Sequence, residues 1–133
     1  MILWEYKGEE VHEVPEGAIG FVYLITFSNG DRYIGKKSMF STRRIKVKGR
    51  KNRKVVTKES DWKTYSSSSD TVKARIKEGE SHSKEIVCFG SSKGAIMFLE
   101  IKEMILRDVL CDSTYLNGNI FMKIFRCYQP MDI

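Results

Sequence analysis

Two kinds of chemistry are available to this chain, and they sit in different stretches of it. From Arg43 to Lys58 there are nine basic residues (Arg43, Arg44, Lys46, Lys48, Arg50, Lys51, Arg53, Lys54 and Lys58) and no acid. An unbalanced run of this kind repels itself and attracts a polyanion. Neutralising phosphates releases condensed counterions, the main source of non-specific nucleic-acid affinity. The same charge also serves as a solvated loop that keeps a protein soluble. The second chemistry belongs to carboxylates and phenols. Glu100 and Glu103 fall in a helical stretch with Arg107. Their ordinary use there is a solvated polar stripe; their other use is to ligate a hard cation through oxygen. Tyr23 and Tyr33 lie in β-rich runs, where a tyrosine usually packs its ring and leaves its hydroxyl at the edge.

Thiol chemistry is argued against by the cysteine count. Cys88, Cys111 and Cys127 are odd in number and widely spaced, and the histidines are only His12 and His82. A zinc site or disulfide framework is not expected, and at least one thiol should sit in a strand as a small hydrophobe.

The elements that must position these residues fit one domain over residues 1–133. A hydrophobic fraction of 41% supports one modest core. No apolar run approaches the roughly 20 residues needed to cross a bilayer. The N-terminus also lacks the charged-then-apolar order of a signal peptide. A soluble, cytoplasmic protein is therefore expected. Residues 1–18 read as a polar lead-in with one edge strand at Ile2–Tyr6. Ile19–Phe27 and Asp31–Ser38 are β-rich runs joined through Asn29-Gly30, a strong hairpin signal. A two-residue loop would put Tyr23 and Tyr33 on opposite faces. A three-residue loop, Ser28-Asn29-Gly30, pairs Tyr23 with Gly35 and places Tyr23, Tyr33, Gly35 and Lys37 on one face. The three-residue loop is the expectation here. A helix is expected from Ser69, its cap, to Gly79, with Val72 and Ile76 inward. Ser83–Phe89 reads as a third strand. Ser92–Leu110 is the clearest helix, apolar around most of its circumference. Met97, Phe98, Ile101, Met104 and Ile105 form its expected core arc. Tyr115–Phe125 is expected to turn at Asn117-Gly118 and return to apolar packing. The fold class is α+β: a short antiparallel sheet of about three strands flanked by helices.

Val22-Tyr23, ten residues before Tyr33-Ile34-Gly35-Lys36-Lys37, resembles the paired motif that names the GIY-YIG nucleases. The second half is intact; in the first, Phe21 stands for the glycine and Val22 for the isoleucine. Glu100 and Asn117 match in order and rough spacing the family's metal-binding glutamate and terminal asparagine. The resemblance spans about residues 19–120, with a basic insertion at about 41–59. Ser41-Thr42-Arg43-Arg44, Glu59-Ser60-Asp61-Trp62-Lys63, Tyr65 and the serines after it look like small phage-encoded members.

What the resemblance implies is a DNA endonuclease that hydrolyses phosphodiesters with one divalent metal, Mg²⁺ or Mn²⁺, and a tyrosine-assisted water. Tyr23, Tyr33, Arg43, Glu100 and Asn117 would be its catalytic residues and Glu100 its metal ligand. Glu103 competes for the metal, and Arg44 and Arg75 compete for the arginine's role. No histidine follows Arg43 one turn later, where many members carry one. Asn117 could anchor phosphate or brace the glutamate, although Asn-Gly favours turns regardless. Gly35, Lys36, Lys37, Arg44, Arg50, Lys51, Arg53 and Lys54 would contact nucleic acid, double-stranded DNA in the first instance. Trp62 is expected as a core anchor. A homo-oligomer is compatible with the absence of a separate specificity domain. The degenerate first motif also admits a different class of protein: a non-catalytic nucleic-acid-binding or protein-interaction module on this scaffold.

Overall fold

A computed structural model describes residues 2–118 and 120. Along the chain run β1 (Glu5–Tyr6), β2 (Glu9–Glu10), β3 (Gly20–Phe27), β4 (Arg32–Ser38), β5 (Phe40–Ile45) and β6 (Lys54–Glu59). Helix α1 (Asp70–Lys77), strand β7 (His82–Gly90) and helix α2 (Lys93–Leu106) follow. The class is α+β, as expected, but the main sheet has five strands rather than three, in the order β2-β1-β7-β3-β4. It is also mixed, because β1 runs parallel to β7 through Glu5 and Glu85. The two extra strands come from the lead-in, which is less polar in function than in composition. Trp4 is 1% exposed and its indole N–H donates to the Trp62 carbonyl at 2.7 Å. Trp4 thus anchors the lead-in to the core, with Ala18 buried and Tyr6, Val11 and Val14 packed against the same cluster.

The hairpin takes the three-residue loop. Phe27 N–H donates to the Asp31 carbonyl, and Gly30 adopts a φ of 96° that favours glycine. Tyr23 pairs with Gly35. Because side chains alternate along a strand, β3 feeds both faces of the sheet. Phe21, Tyr23, Ile25 and Phe27 join Trp4, Met39, Trp62, Val72 and Ile86 on one face. Val22 and Leu24 join Ile34, Met104, Val109 and Tyr115 on the other. A strand buried on both sides reads as a continuous apolar run, which is how Gly20–Phe27 reads.

Helix α1 is capped by Ser69, whose hydroxyl accepts from Val72 N–H, and ends before Gly79 at φ 86°. Helix α2 is capped by Ser92 but stops four residues before the expected Leu110. Asp108, at φ 50°, turns the chain there. Asp108 N–H donates to the Ile105 carbonyl and Val109 N–H to the Met104 carbonyl. That is a Schellman ending, sealed by Met104 and Val109 in one cluster.

The expected core arc of α2 is also corrected. The buried residues are Ile96, Glu100 and Met104, spaced four apart, whereas Met97, Phe98 and Ile105 are 43%, 63% and 54% exposed. A helix apolar nearly all round carries little directional information. Here its one inward polar residue lies on the packed face.

The basic stretch is a hairpin, with four of its nine cations (Arg43, Arg44, Lys54 and Lys58) on strands and five in the turn over 46–53. β5 and β6 pair antiparallel from Phe40–Glu59 to Ile45–Lys54 as a separate two-stranded ribbon. The expected return of the chain over residues 119–125 lies largely outside the described residues, as does Cys127. Cys88 is half-buried in β7 and Cys111 exposed, both as free thiols. Among the described residues no helix is long and apolar enough to cross a membrane.

Candidate active site

Strand β4 is the edge of the main sheet, and its outer hydrogen-bonding groups face residues 114–117. Arg32 N–H donates to the Thr114 carbonyl and Leu116 N–H to the Arg32 carbonyl, both at 2.7 Å. Asn117 extends this ladder with its side chain. Its Oδ1 accepts from Ile34 N–H at 3.1 Å, and its Nδ2 donates to the Ile34 carbonyl at 2.8 Å. Both ends of the amide are therefore engaged. Asn117 clamps the backbone between Tyr33 and Gly35 instead of offering a free ligand.

Beside this clamp opens a cavity of about 260 Å³, lined by Tyr33, Lys36, Ser68, Glu100, Met104, Asn117 and Gly118. Glu100 reaches it from α2, on the sheet face opposite Tyr23, so the cavity wraps around the β4 edge. The Glu100 residue is 7% exposed. It makes no hydrogen bond or ion pair with another described residue, and among those residues no fully buried side-chain oxygen is left without a partner, so its carboxylate opens to the cavity. Burial raises its pKa, and the positive charge of Lys36 partly opposes the rise. Glu103, by contrast, bonds Arg107 at 3.0 Å and lies outside the cavity lining.

Tyr33 brings its hydroxyl to the same cavity, 3.3 Å from Ser68 Oγ. Its pKa is raised, first by burial and also by the negative charge of Glu100. Tyr23 shares a sheet face with Tyr33, their rings 6.2 Å apart, but is fully buried. Its hydroxyl donates to Ser67 Oγ at 3.3 Å, and burial drives its pKa far above the ordinary phenol value. It is thus a neutral hydrogen-bond donor in the core, behind Tyr33. Gly35 makes room for that ring, since a Cβ there would meet the Tyr23 hydroxyl at 2.3 Å.

The remaining residues singled out in the sequence are dispersed. Lys36 lines the cavity. Lys37 is tied to Asp61 at 2.7 Å, with its amine 4.2 Å over the Tyr65 ring. Trp62 is fully buried, a core anchor as expected. Arg43 and Arg44 lie on β5 and Lys54 on β6, while Arg50, Lys51 and Arg53 lie in the turn that joins them. Arg75 braces the hairpin loop: it pairs with Asp31 at 2.7 Å and with Glu80, and stacks 4.1 Å over Phe27. None of the three arginines lines the cavity; Lys36 is the cation there among the described residues. Sequence reasoning missed Ser67 and Ser68. Their signal was the serine run itself: Ser67 has a positive φ of 145° and its Oγ accepts from Ser69 N–H, which turns the run across both tyrosines.

The chain belongs to the GIY-YIG family: residues 4–120 match the family model described as putative endonuclease segE, GIY-YIG domain. Comparison with curated proteins and with solved structures found no significant match.

Proposed function

We propose that this protein is a divalent-metal-dependent endonuclease acting on double-stranded DNA, with its reaction centre in the cavity between β4 and α2. One observation carries the reading: the carboxylate of a largely buried residue, Glu100, opens to a cavity without a partner among the described residues, beside a tyrosine hydroxyl and a lysine. A partly desolvated carboxylate is penalised in its ionised form, and a bound cation relieves that penalty. A hard cation fits the need. Mg²⁺ takes one or two protein carboxylates and completes its shell with water and phosphate. Glu100 is the one carboxylate among the described residues lining the cavity, so it would hold the ion as the single carboxylate.

Hydrolysis of a phosphodiester needs an activated water, stabilisation of charge on phosphorus and help for the leaving oxygen. The bound cation, Mg²⁺ or Mn²⁺, would supply Lewis-acid stabilisation at the phosphate and offset the Glu100 charge that raises Tyr33. Tyr33 orients the attacking water through its hydroxyl, which Ser68 holds on the cavity wall. Lys36 faces the phosphate as a point charge, the part for which no arginine is at hand among the described residues. Asn117 fixes the backbone on either side of Tyr33, and Tyr23 supports it from the core. Both are positioning residues.

The test is cleavage of supercoiled plasmid with Mg²⁺ or Mn²⁺, wild type against Glu100→Ala, with binding followed in parallel. The expected result is cleavage lost in the variant while binding persists. Cleavage retained would move the metal away from Glu100. Binding without turnover by the wild type, under several divalent ions, would favour a non-catalytic binding module on this scaffold.

A further inference from the structure

The ribbon of β5 and β6 carries cations that the rest of the molecule does not use. Among the described residues, none of the nine from Arg43 to Lys58 pairs with an acid; the ion pairs found involve His12, Arg32, Lys37, Arg75 and Arg107. Six cross-strand pairs give the ribbon a length of about 20 Å at about 3.4 Å per residue. Its two faces differ. One presents Ser41, Arg43 and Ile45 against Lys58, Val56 and Lys54, with Ile45 and Val56 half-buried. The other presents Phe40, Thr42 and Arg44 against Glu59, Thr57 and Val55, and all six are exposed.

That second face is unusual for a solubilising surface. Val55 is 55% exposed and Phe40 38%, and the Thr42 and Thr57 hydroxyls lie 3.4 Å apart across the strands. A surface made only to hold phosphates needs cations; here one arginine is set among methyl groups and hydroxyls, and the face's one acid, Glu59, sits at its Phe40 end, where it accepts from the Trp62 indole N–H at 2.7 Å. Those are the groups that read base edges: arginine to guanine O6 and N7, apolar side chains to the thymine methyl, hydroxyls to either. The major groove of B-form DNA, about 12 Å wide and 8.5 Å deep, admits a two-stranded ribbon. The deep, narrow major groove of A-form RNA does not admit side chains in this way.

We propose that the ribbon enters the DNA major groove and sets sequence preference. Arg44, Thr42, Thr57 and Val55 face the base edges, while Arg43, Lys54, Lys58 and the cations of the 46–53 turn hold the flanking phosphates. This rests on the duplex-DNA reading above. The catalytic cavity would then be placed on the backbone by an arm separate from the main sheet.

Methylation interference tests it. A duplex pool treated with dimethyl sulfate is bound by the Glu100→Ala protein, and bound and free strands are compared. Guanine N7 methylation marks the major groove, and adenine N3 methylation the minor groove. The expected result is depletion of N7-methylguanine at one or a few positions in the bound fraction. Arg44→Ala, with an unchanged thermal transition, should lose that depletion, removing guanine discrimination of roughly 5- to 150-fold. Val55→Ser, chosen because it leaves the charge intact, should weaken preference for thymine-containing sites. Depletion only at adenine N3, depletion at neither, or an Arg44→Ala pattern identical to its parent would overturn the proposal while leaving the nuclease reading intact. No binding to duplex DNA, or tighter binding to an RNA duplex, would overturn both.

Discussion

Replacing Glu100 with glutamine should make the protein more stable and abolish its cleavage activity. The side chain is largely buried with no hydrogen-bond donor among the described residues, and its pKa is raised chiefly by that burial. Glutamine keeps the shape and removes the charge. Burial penalises the ionised form in the folded protein, a cost that the unfolded chain does not bear. Relief of such an active-site cost is commonly about 0.5–2 kcal/mol. Each kcal/mol moves the melting temperature by roughly 2–8 °C in a chain of this size range. The sign fixes the pH dependence. With a folded-state pKa above the unfolded one, ionisation destabilises the fold as pH rises from the ordinary glutamate range through the raised value. Below about pH 4 both states are mostly protonated and the two proteins should converge. Mg²⁺ should then act only on the wild type, adding about 2.7 kcal/mol at a hundred times its dissociation constant. Melts at pH 7.5 and pH 4, in EDTA and in Mg²⁺, check all of this. A variant less stable than wild type at pH 7.5, a gap unchanged at pH 4, or equal Mg²⁺ stabilisation of both would refute the account of Glu100.

Three further outcomes are expected. Gly35→Ala forces a methyl into the Tyr23 hydroxyl and the ring carbon that bears it, and urea unfolding should show a loss of about 1–3 kcal/mol from overpacking. Asn117→Ala strands the Ile34 N–H and C=O beside the cavity; the expected loss is about 1–3 kcal/mol, with faster amide exchange at Ile34. Tyr33→Phe removes the hydroxyl at the cavity wall. Plasmid cleavage should fall by about 10²-fold as the attacking water loses the group that orients it, while the melting temperature changes little.

Local rules carried much of the fold. The loop Ser28-Asn29-Gly30 determined the register, because a one-residue change would have moved Tyr33 to the opposite face from Tyr23. Ser69 and Gly79 bounded α1 by cap chemistry alone. The face of α2 was not readable, since apolar residues surround it and the inward direction is set by Ile96, Glu100 and Met104 meeting the sheet. The ribbon was hidden by its charge. Thr42, Ile45, Val55, Val56 and Thr57 carry the β-branched signal, but nine cations among them suggested a solvated loop. At the site, Glu100 and Tyr33 do line one cavity, yet nothing in the sequence showed that Asn117 acts through its amide on Ile34 or that Ser67 and Ser68 reach the two tyrosines.

The clamp on β4 has a consequence for how the chain is made. Asn117 follows Ile34 by 83 residues, which at synthesis rates of about 5–20 residues per second is a delay of roughly 4–17 s. Until the clamp emerges, β4 is an open strand edge of the kind that recruits other strands. A nascent chain is therefore sticky and lacks a complete reaction centre at the same time, along the same edge. Closing that edge ends both conditions in one step, so chains halted short of Asn117 should accumulate as aggregates and not as stray nucleases.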